Sequence, residues 1–189
     1  MTKARDLANG GFGLVLIKPS SVVNGTDNGK GTVSFSGAST VSLNDVFSAT
    51  YDTYKVIINW TSATAQNLGM RLRVSGADNS TAGNYMWGEN GLTFSGGSSL
   101  NNNSSDTSWN MEYTDTNGAV MAMDIYDPFS STKITRFNGL STTRLSTAAA
   151  SFYRGHGGNM TVTTSYTGFT IFVSSGTITG SVSVYGYNE

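Results

Sequence analysis

The chain is predicted to fold as an all-β, antiparallel β-sandwich of jelly-roll style, preceded by a short N-terminal arm. Three observations carry this reading. Short apolar–polar alternations follow one another through the sequence, and alternation places every second side chain on one face of a strand. Clusters of Gly, Ser, Asn and Thr punctuate them at intervals of roughly 10–15 residues, close to the spacing of sandwiches and barrels. No helical periodicity of any length interrupts the series, and no internal repeat is present. About eight to ten strands in two sheets are expected.

Taken in order, Thr2 to Asn9 reads as a helical or extended arm, with a Gly10-Gly11-Phe12-Gly13 hinge behind it. The domain division is therefore 1–13 for the arm and hinge and 14–189 for the sandwich. Leu14 to Lys18 is a short run stopped by Pro19, which lacks a donor and restricts its predecessor. Asn24-Gly25, in a loop of turn formers, is a hairpin signal ahead of Thr32–Phe35 and Thr40–Leu43. Leu43-Asn44-Asp45-Val46-Phe47 reads as one helical turn capped by Asn44 or Asp45. Tyr54–Trp60 is the strongest strand signal, followed by Leu68–Val74 with Leu68, Met70, Leu72 and Val74 on one face. These two are expected at the centre of the sandwich.

Tyr85-Met86-Trp87 opens another strand. Gly96 to Ser108 has the lowest complexity in the chain and reads as an exposed loop. Trp109–Tyr113, Ala119–Tyr126, Lys133–Phe137, Ala148–Tyr153 and Gly168–Val173 continue the series. The run Thr177 to Tyr187 carries the alternation nearly to Glu189, so this end is expected to be tied into a sheet.

Composition bounds the function. Charged residues make up 12% of the 189, the formal net charge is −1, and neutral polar residues take up the difference. That balance lacks the basic stripe of a nucleic-acid binder. There is no cysteine, hence no disulfide framework and no zinc cluster of the Cys type. No apolar run is long enough to insert in a membrane. The N-terminus does not read as a signal peptide, so the Asn-x-Ser/Thr triplets carry little weight as glycosylation sites.

Candidate chemistry is sparse. The single histidine, His156, lies in Arg154-Gly155-His156-Gly157-Gly158-Asn159, read as a Gly-rich turn. It has neither a second His nor a Cys to build a metal site, and no Gly-x-Ser-x-Gly elbow accompanies it. Asp124 and Asp127 are weak candidates for calcium, three apart at a strand end. Glu89 and Glu112, near Trp87 and Tyr113, are a conceivable carboxylate pair for glycoside hydrolysis, although nothing in the sequence sets their separation. No cofactor is expected and no enzyme activity. Aromatics beside loops point instead to surface contact, with Trp87, Trp109, Tyr113, Tyr153 and His156 as candidate surface or glycan contacts.

Segments throughout the chain resemble bacteriophage virion proteins of the tail-fibre type, particularly those of marine and cyanobacterial phages. The likeness rests on Thr2-Lys3-Ala4-Arg5-Asp6-Leu7-Ala8-Asn9, on Leu43–Phe47, on Tyr51–Ile57, on Met70–Gly76 and on the ending Gly180–Tyr187. No catalytic motif travels with it. The resemblance implies a virion structural protein, assembled in the host cytoplasm, with a β-sandwich head and a commonly trimeric state. Its arm would attach to other virion proteins through Lys3, Arg5, Asp6 and Leu7, and its head would meet a host surface polysaccharide or receptor. The chain lacks an extended shaft, which favours a short tail fibre or a tail or nozzle accessory. A capsid decoration or cement protein and a carbohydrate-binding module are the alternatives.

Overall fold

A computed structural model describes residues 13–146 and 151–188. The predicted arm, with Lys3, Arg5, Asp6 and Leu7, lies outside the described residues. The protein is an all-β sandwich of two antiparallel sheets. Sixteen strands are present among the described residues, more than expected, because several are only two to four residues long.

The large sheet contains β1 (Gly13–Leu16), β3 (Thr26–Asp27), β4 (Val33–Ala38), β6 (Thr53–Ser62), β9 (Tyr85–Thr93), β10 (Ser98–Asp106), β12 (Ala119–Tyr126), β13 (Arg136–Arg144), β14 (Ser151–Met160) and β16 (Ile178–Asn188). Their order is β10-β9-β14-β13-β12-β6-β16-β4-β3, with β1 also paired to β16. The small sheet contains β2 (Ser21–Val23), β5 (Thr40–Asn44), β7 (Gln66–Val74), β8 (Ala77–Asp78), β11 (Trp109–Thr114) and β15 (Gly168–Phe172). Its order is β11-β7-β15-β5-β2, with β8 paired to β7.

The core forms where the alternations of the two sheets meet. Tyr54, Val56, Ile58 and Trp60 of β6 are buried, as are Met121, Met123 and Ile125 of β12 and Val182 and Val184 of β16. Leu68, Met70 and Leu72 of β7, Val41 and Leu43 of β5, and Phe169 and Ile171 of β15 are buried with them in the same core. β6 lies inside the large sheet between β12 and β16, whereas β7 lies next to the edge strand β11 of the small sheet, whose middle strand is β15. The terminal run is tied down as expected: β16 sits between β6 and β4 with ladders on both sides.

Four local expectations are corrected. Asn24-Gly25 does not close a hairpin; it is the corner at which the chain leaves β2 in the small sheet for β3 in the large one. The β3–β4 hairpin is closed by Asn28 to Thr32 instead, where the Asn28 N–H donates to the Thr32 carbonyl at 2.9 Å. Asp45 does not cap a helical turn. Its φ of 56° turns the chain so that Val46 and Phe47 drop into the core, a left-handed conformation that Asp tolerates better than most residues. Ser98–Asp106 is not a loop but the edge strand β10. The Gly-rich stretch around His156 is not a turn but the middle of β14, laddered to β13 and β9. In both cases neighbouring strands supply the backbone partners that low intrinsic β-propensity does not predict.

Candidate functional site

Two arrangements hold the candidate side chains, on opposite faces of the β13–β14–β9 part of the large sheet. The inner one is a polar cluster within the sandwich. Cross-strand register sets Glu89 of β9 beside His156 of β14, and Ser141 of β13 beside Arg154 of β14. Glu112 comes from β11 in the facing sheet and is fully buried. It forms an ion pair with Arg154 and accepts a hydrogen bond from Ser141. The Ser141 hydroxyl is also 2.8 Å from Nε2 of His156. The other ring nitrogen, Nδ1, faces Oε2 of Glu89 at 3.8 Å and has no hydrogen-bond partner among the described residues.

The two carboxyls of this cluster are pushed in opposite directions. Burial alone would raise Glu112, but the His156 ring 3.7 Å away, the hydrogen bond from Ser141 and the charge of Arg154 outweigh it, so its pKa is lowered. Burial raises Glu89, offset only in part by Arg154 and His156. The contacts superficially suggest a Ser–His–Glu triad, yet the proton logic runs the other way. With the Ser141 proton directed at Glu112, Nε2 of His156 must donate to Ser141 and is not free to act as its base. Ser141 is also only 2% exposed. Glu89 and Glu112 do converge, but on His156 in the interior, not across an open cleft.

The outer arrangement is a trough on the solvent face of the same strands. Directly paired residues share a face, so register gives one cross-strand row of Asn102, Gly88, Gly157 and Asn138, from β10 through β9 and β14 to β13. The next row runs Leu100, Asn90, Gly155 and Leu140. Side chains on β10 and β13 form the walls, and the glycines leave the floor as bare backbone. Three adjoining depressions of about 520, 400 and 530 Å³ follow this path, from Tyr126, Arg136 and Asn159 at one end to Leu92 and Tyr153 at the other.

The walls are polar without being strongly charged. The Tyr126 hydroxyl donates to Oδ1 of Asn138 at 3.2 Å, which leaves the Asn138 NH2 group available. Among the described residues, the side-chain amides of Asn90 and Asn102 make no hydrogen bond. A larger cleft of about 640 Å³ lies between β3 and β4, lined by Asn24, Phe35 and small residues. There Phe35 is buried and the Asn24 amide is engaged by Thr40, so it offers few groups to a ligand.

Of the expected contact residues, Tyr153 lies at one end of the trough, 44% exposed, and Trp87 lines the other end. Trp109 is corrected to a core residue: it is fully buried, with its ring against Tyr85 and Phe137. His156 is corrected likewise, since alternation points it inward from β14. Trp87 is partly buried and donates from Nε1 to Asp106 at 2.9 Å. Tyr113 is half-buried on β11. Asp124 and Asp127 do not converge. Asp124 meets Lys55 at 2.8 Å and the Tyr187 hydroxyl at 2.6 Å, whereas Asp127 meets Lys133 at 2.8 Å. Among the described residues, no group of three or more His, Cys, Asp or Glu side chains could hold a metal ion.

The residues that sequence reasoning missed are the outward asparagines and glycines. Their signal is the pairing of Gly-rich runs with strand partners on both sides, which becomes visible only once register is known.

No protein-family model matches the chain, and no curated protein sequence matches it. Among solved structures, it is similar to the SPRY domain of human HERC1, with 11% identity and a TM-score of 0.35, covering 90% of this chain and 97% of that one. It is also similar to the binding domain of botulinum neurotoxin serotype G, with 10% identity and a TM-score of 0.25. That match covers 95% of this chain and 44% of the toxin domain. Likenesses this remote carry no argument.

Proposed function

We propose that the chain is a non-enzymatic bacteriophage virion protein, a short tail fibre or tail accessory that presents the outer face of its large sheet to the host surface. The observation that carries the attachment role is the trough: a concave, weakly charged strip with bare backbone on its floor and unengaged amides on its walls. A concave site with few convergent polar groups is the usual form of a recognition surface. The virion assignment rests on the resemblance of the arm and of the β5, β6, β7 and β16 segments to fibre-type proteins. The low charge is consistent with life at high local copy number on a particle, where avidity makes weak individual contacts effective.

One observation favours a second reading, a capsid decoration protein. Leu92 and Leu100 are 60% and 81% exposed at one end of the trough, with Phe94, 72% exposed, two residues beyond Leu92, and exposed apolar side chains of this kind suit contact with shell subunits. Cryo-electron microscopy of intact particles separates the two. Density on the tail with the β9–β10 face outward is the expected result. Density wedged between shell subunits would transfer the assignment to decoration, and absence from the particle would remove both. Deleting Met1 to Gly11 is expected to abolish incorporation while leaving the sandwich folded.

A further inference from the structure

We propose that the trough holds an uncharged, linear polysaccharide lying along β9 and β14, with Gly88 and Gly157 kept free of side chains to let the sugar rings reach the sheet. This rests on the reading of the outer face as the contact surface and names what that face contacts. The first argument is a contrast between glycines of the same strands. Gly139, which points inward, is required by packing: a Cβ there would lie 2.7 Å from Cβ of Met123 and 2.9 Å from the Ala122 carbonyl oxygen. Gly91 and Gly158, also inward, would collide with Arg154 and with the Met86 carbonyl. Gly88 and Gly157 face outward and have no such constraint. A Cβ on Gly88 would meet nothing closer than 3.8 Å, and one on Gly157 nothing closer than 3.7 Å. Neither has a positive φ. Glycine weakens a strand interior, and where the fold does not demand it, close approach of another molecule is the remaining use.

The second argument is the chemistry of the walls. The row Asn102–Gly88–Gly157–Asn138 sets two amides on either side of a two-residue gap, and three inter-strand spacings put their backbones about 14 Å apart. An amide offers both donor and acceptor, which matches hydroxyl groups that are themselves both. The floor of the trough is a sheet face whose N–H and C=O groups are already laddered, so it offers an extended peptide none of the backbone bonds a free strand edge would give. It does accept the flat C–H face of a pyranose ring, and Tyr153 at one end supplies an aromatic surface for stacking. A nucleic acid or acidic glycan would require more cationic walls than the one arginine, Arg136, at the far end.

The test is affinity electrophoresis of the full chain through gels holding dextran, a β-glucan or a galactomannan, against gels holding alginate or a sulfated glycan. Adsorption to host cells of particles carrying the same variants is measured in parallel. Retardation by at least one neutral polymer, little changed between low and high salt, is expected. Gly157→Leu is expected to lower that affinity at least tenfold, and Asn102→Ala and Asn138→Ala about three- to tenfold each. All should melt within a few degrees of the parent. Retardation by anionic polymers alone, no retardation at all, or binding unaffected by Gly157→Leu overturns the proposal. If adsorption falls in the variants but no neutral polymer binds, the face still attaches and its partner is a protein or charged glycan. If adsorption is unchanged, the attachment reading fails as well.

Discussion

Glu112 shows how a single side chain can connect the two sheets. It rises from β11 into the opposite sheet's β13–β14 region and is matched there by Arg154, Ser141 and His156. Removing one partner of a buried pair leaves the other uncompensated, so Glu112→Leu is expected to destabilise the fold by about 3–5 kcal/mol. The double variant Glu112→Leu/Arg154→Met should recover much of that loss, as read by urea unfolding. The two carboxyls also predict pH behaviour of opposite sign. Glu112 has a folded pKa below its unfolded value, so its contribution is present above the unfolded carboxylate range, near ~4.3, and is lost as pH falls through the lowered folded value. Glu89 has a raised folded pKa, so its contribution is present below the unfolded value and lost as pH rises through the folded one. Glu89→Gln, which mimics the protonated acid, is accordingly expected to melt above the parent at pH 7 and level with it near pH ~3. A lower midpoint at pH 7 would contradict the assignment of burial as the dominant effect on Glu89.

At the scale of the element, β14 is the strand whose two faces do different work. Inward it supplies Arg154, His156 and Met160 to the interior; outward it supplies Gly155 and Gly157 to the trough. Outward Gly88→Ala and Gly157→Ala are expected to leave stability unchanged or raise it by about 0.5–1 kcal/mol, because alanine restricts the unfolded chain at positions with free space. Inward Gly139→Ala should lower stability by about 1–3 kcal/mol, since its methyl group would overpack against Met123. Thermal denaturation of the three variants decides the point: equal losses at all three sites would mean that the outward glycines are structural too. The edge strand β10 is a further case. Its sequence, Ser98-Ser99-Leu100-Asn101-Asn102-Asn103-Ser104-Ser105-Asp106, reads locally as a loop. Pairing with β9 alone converts it to strand, with a register shift between Asn103 and Asp106 that bends the edge.

Over the whole molecule, the chain closes the sandwich by joining its distant parts. Val33 of β4 pairs with Val182 of β16, and β16 also pairs with β6 along its length. Contacts this far apart in sequence must be made against loop-closure entropy, so refolding is expected on the millisecond-to-second scale typical of sandwiches, measurable by stopped-flow fluorescence of the buried Trp60 and Trp109. Deleting Ile178 to Asn188 removes Ile178, Val182 and Val184 from the core and both of the ladders that β16 makes with β4 and β6. That truncation is expected to abolish cooperative unfolding, in contrast to removal of Met1 to Gly11.

The sequence by itself determined the fold class, the buried faces of β6 and β7 and the anchoring of β16, because those segments alternate strongly enough for side-chain period to announce burial. It also carried the low charge that leaves the trough weakly charged. The tertiary structure alone decided where the weak signals go. Glycine and asparagine have little local preference for strand, so the stretches 98–106 and 154–159 became strands only when neighbours offered partners for their backbones. Register then sorted identical residue types by face: Gly139 and Gly158 into packed interior, Gly88 and Gly157 onto open surface, Trp109 and His156 inward, Tyr153 outward. A one-residue shift exchanges every such assignment, and pairing between strands far apart in the chain is what sets that register.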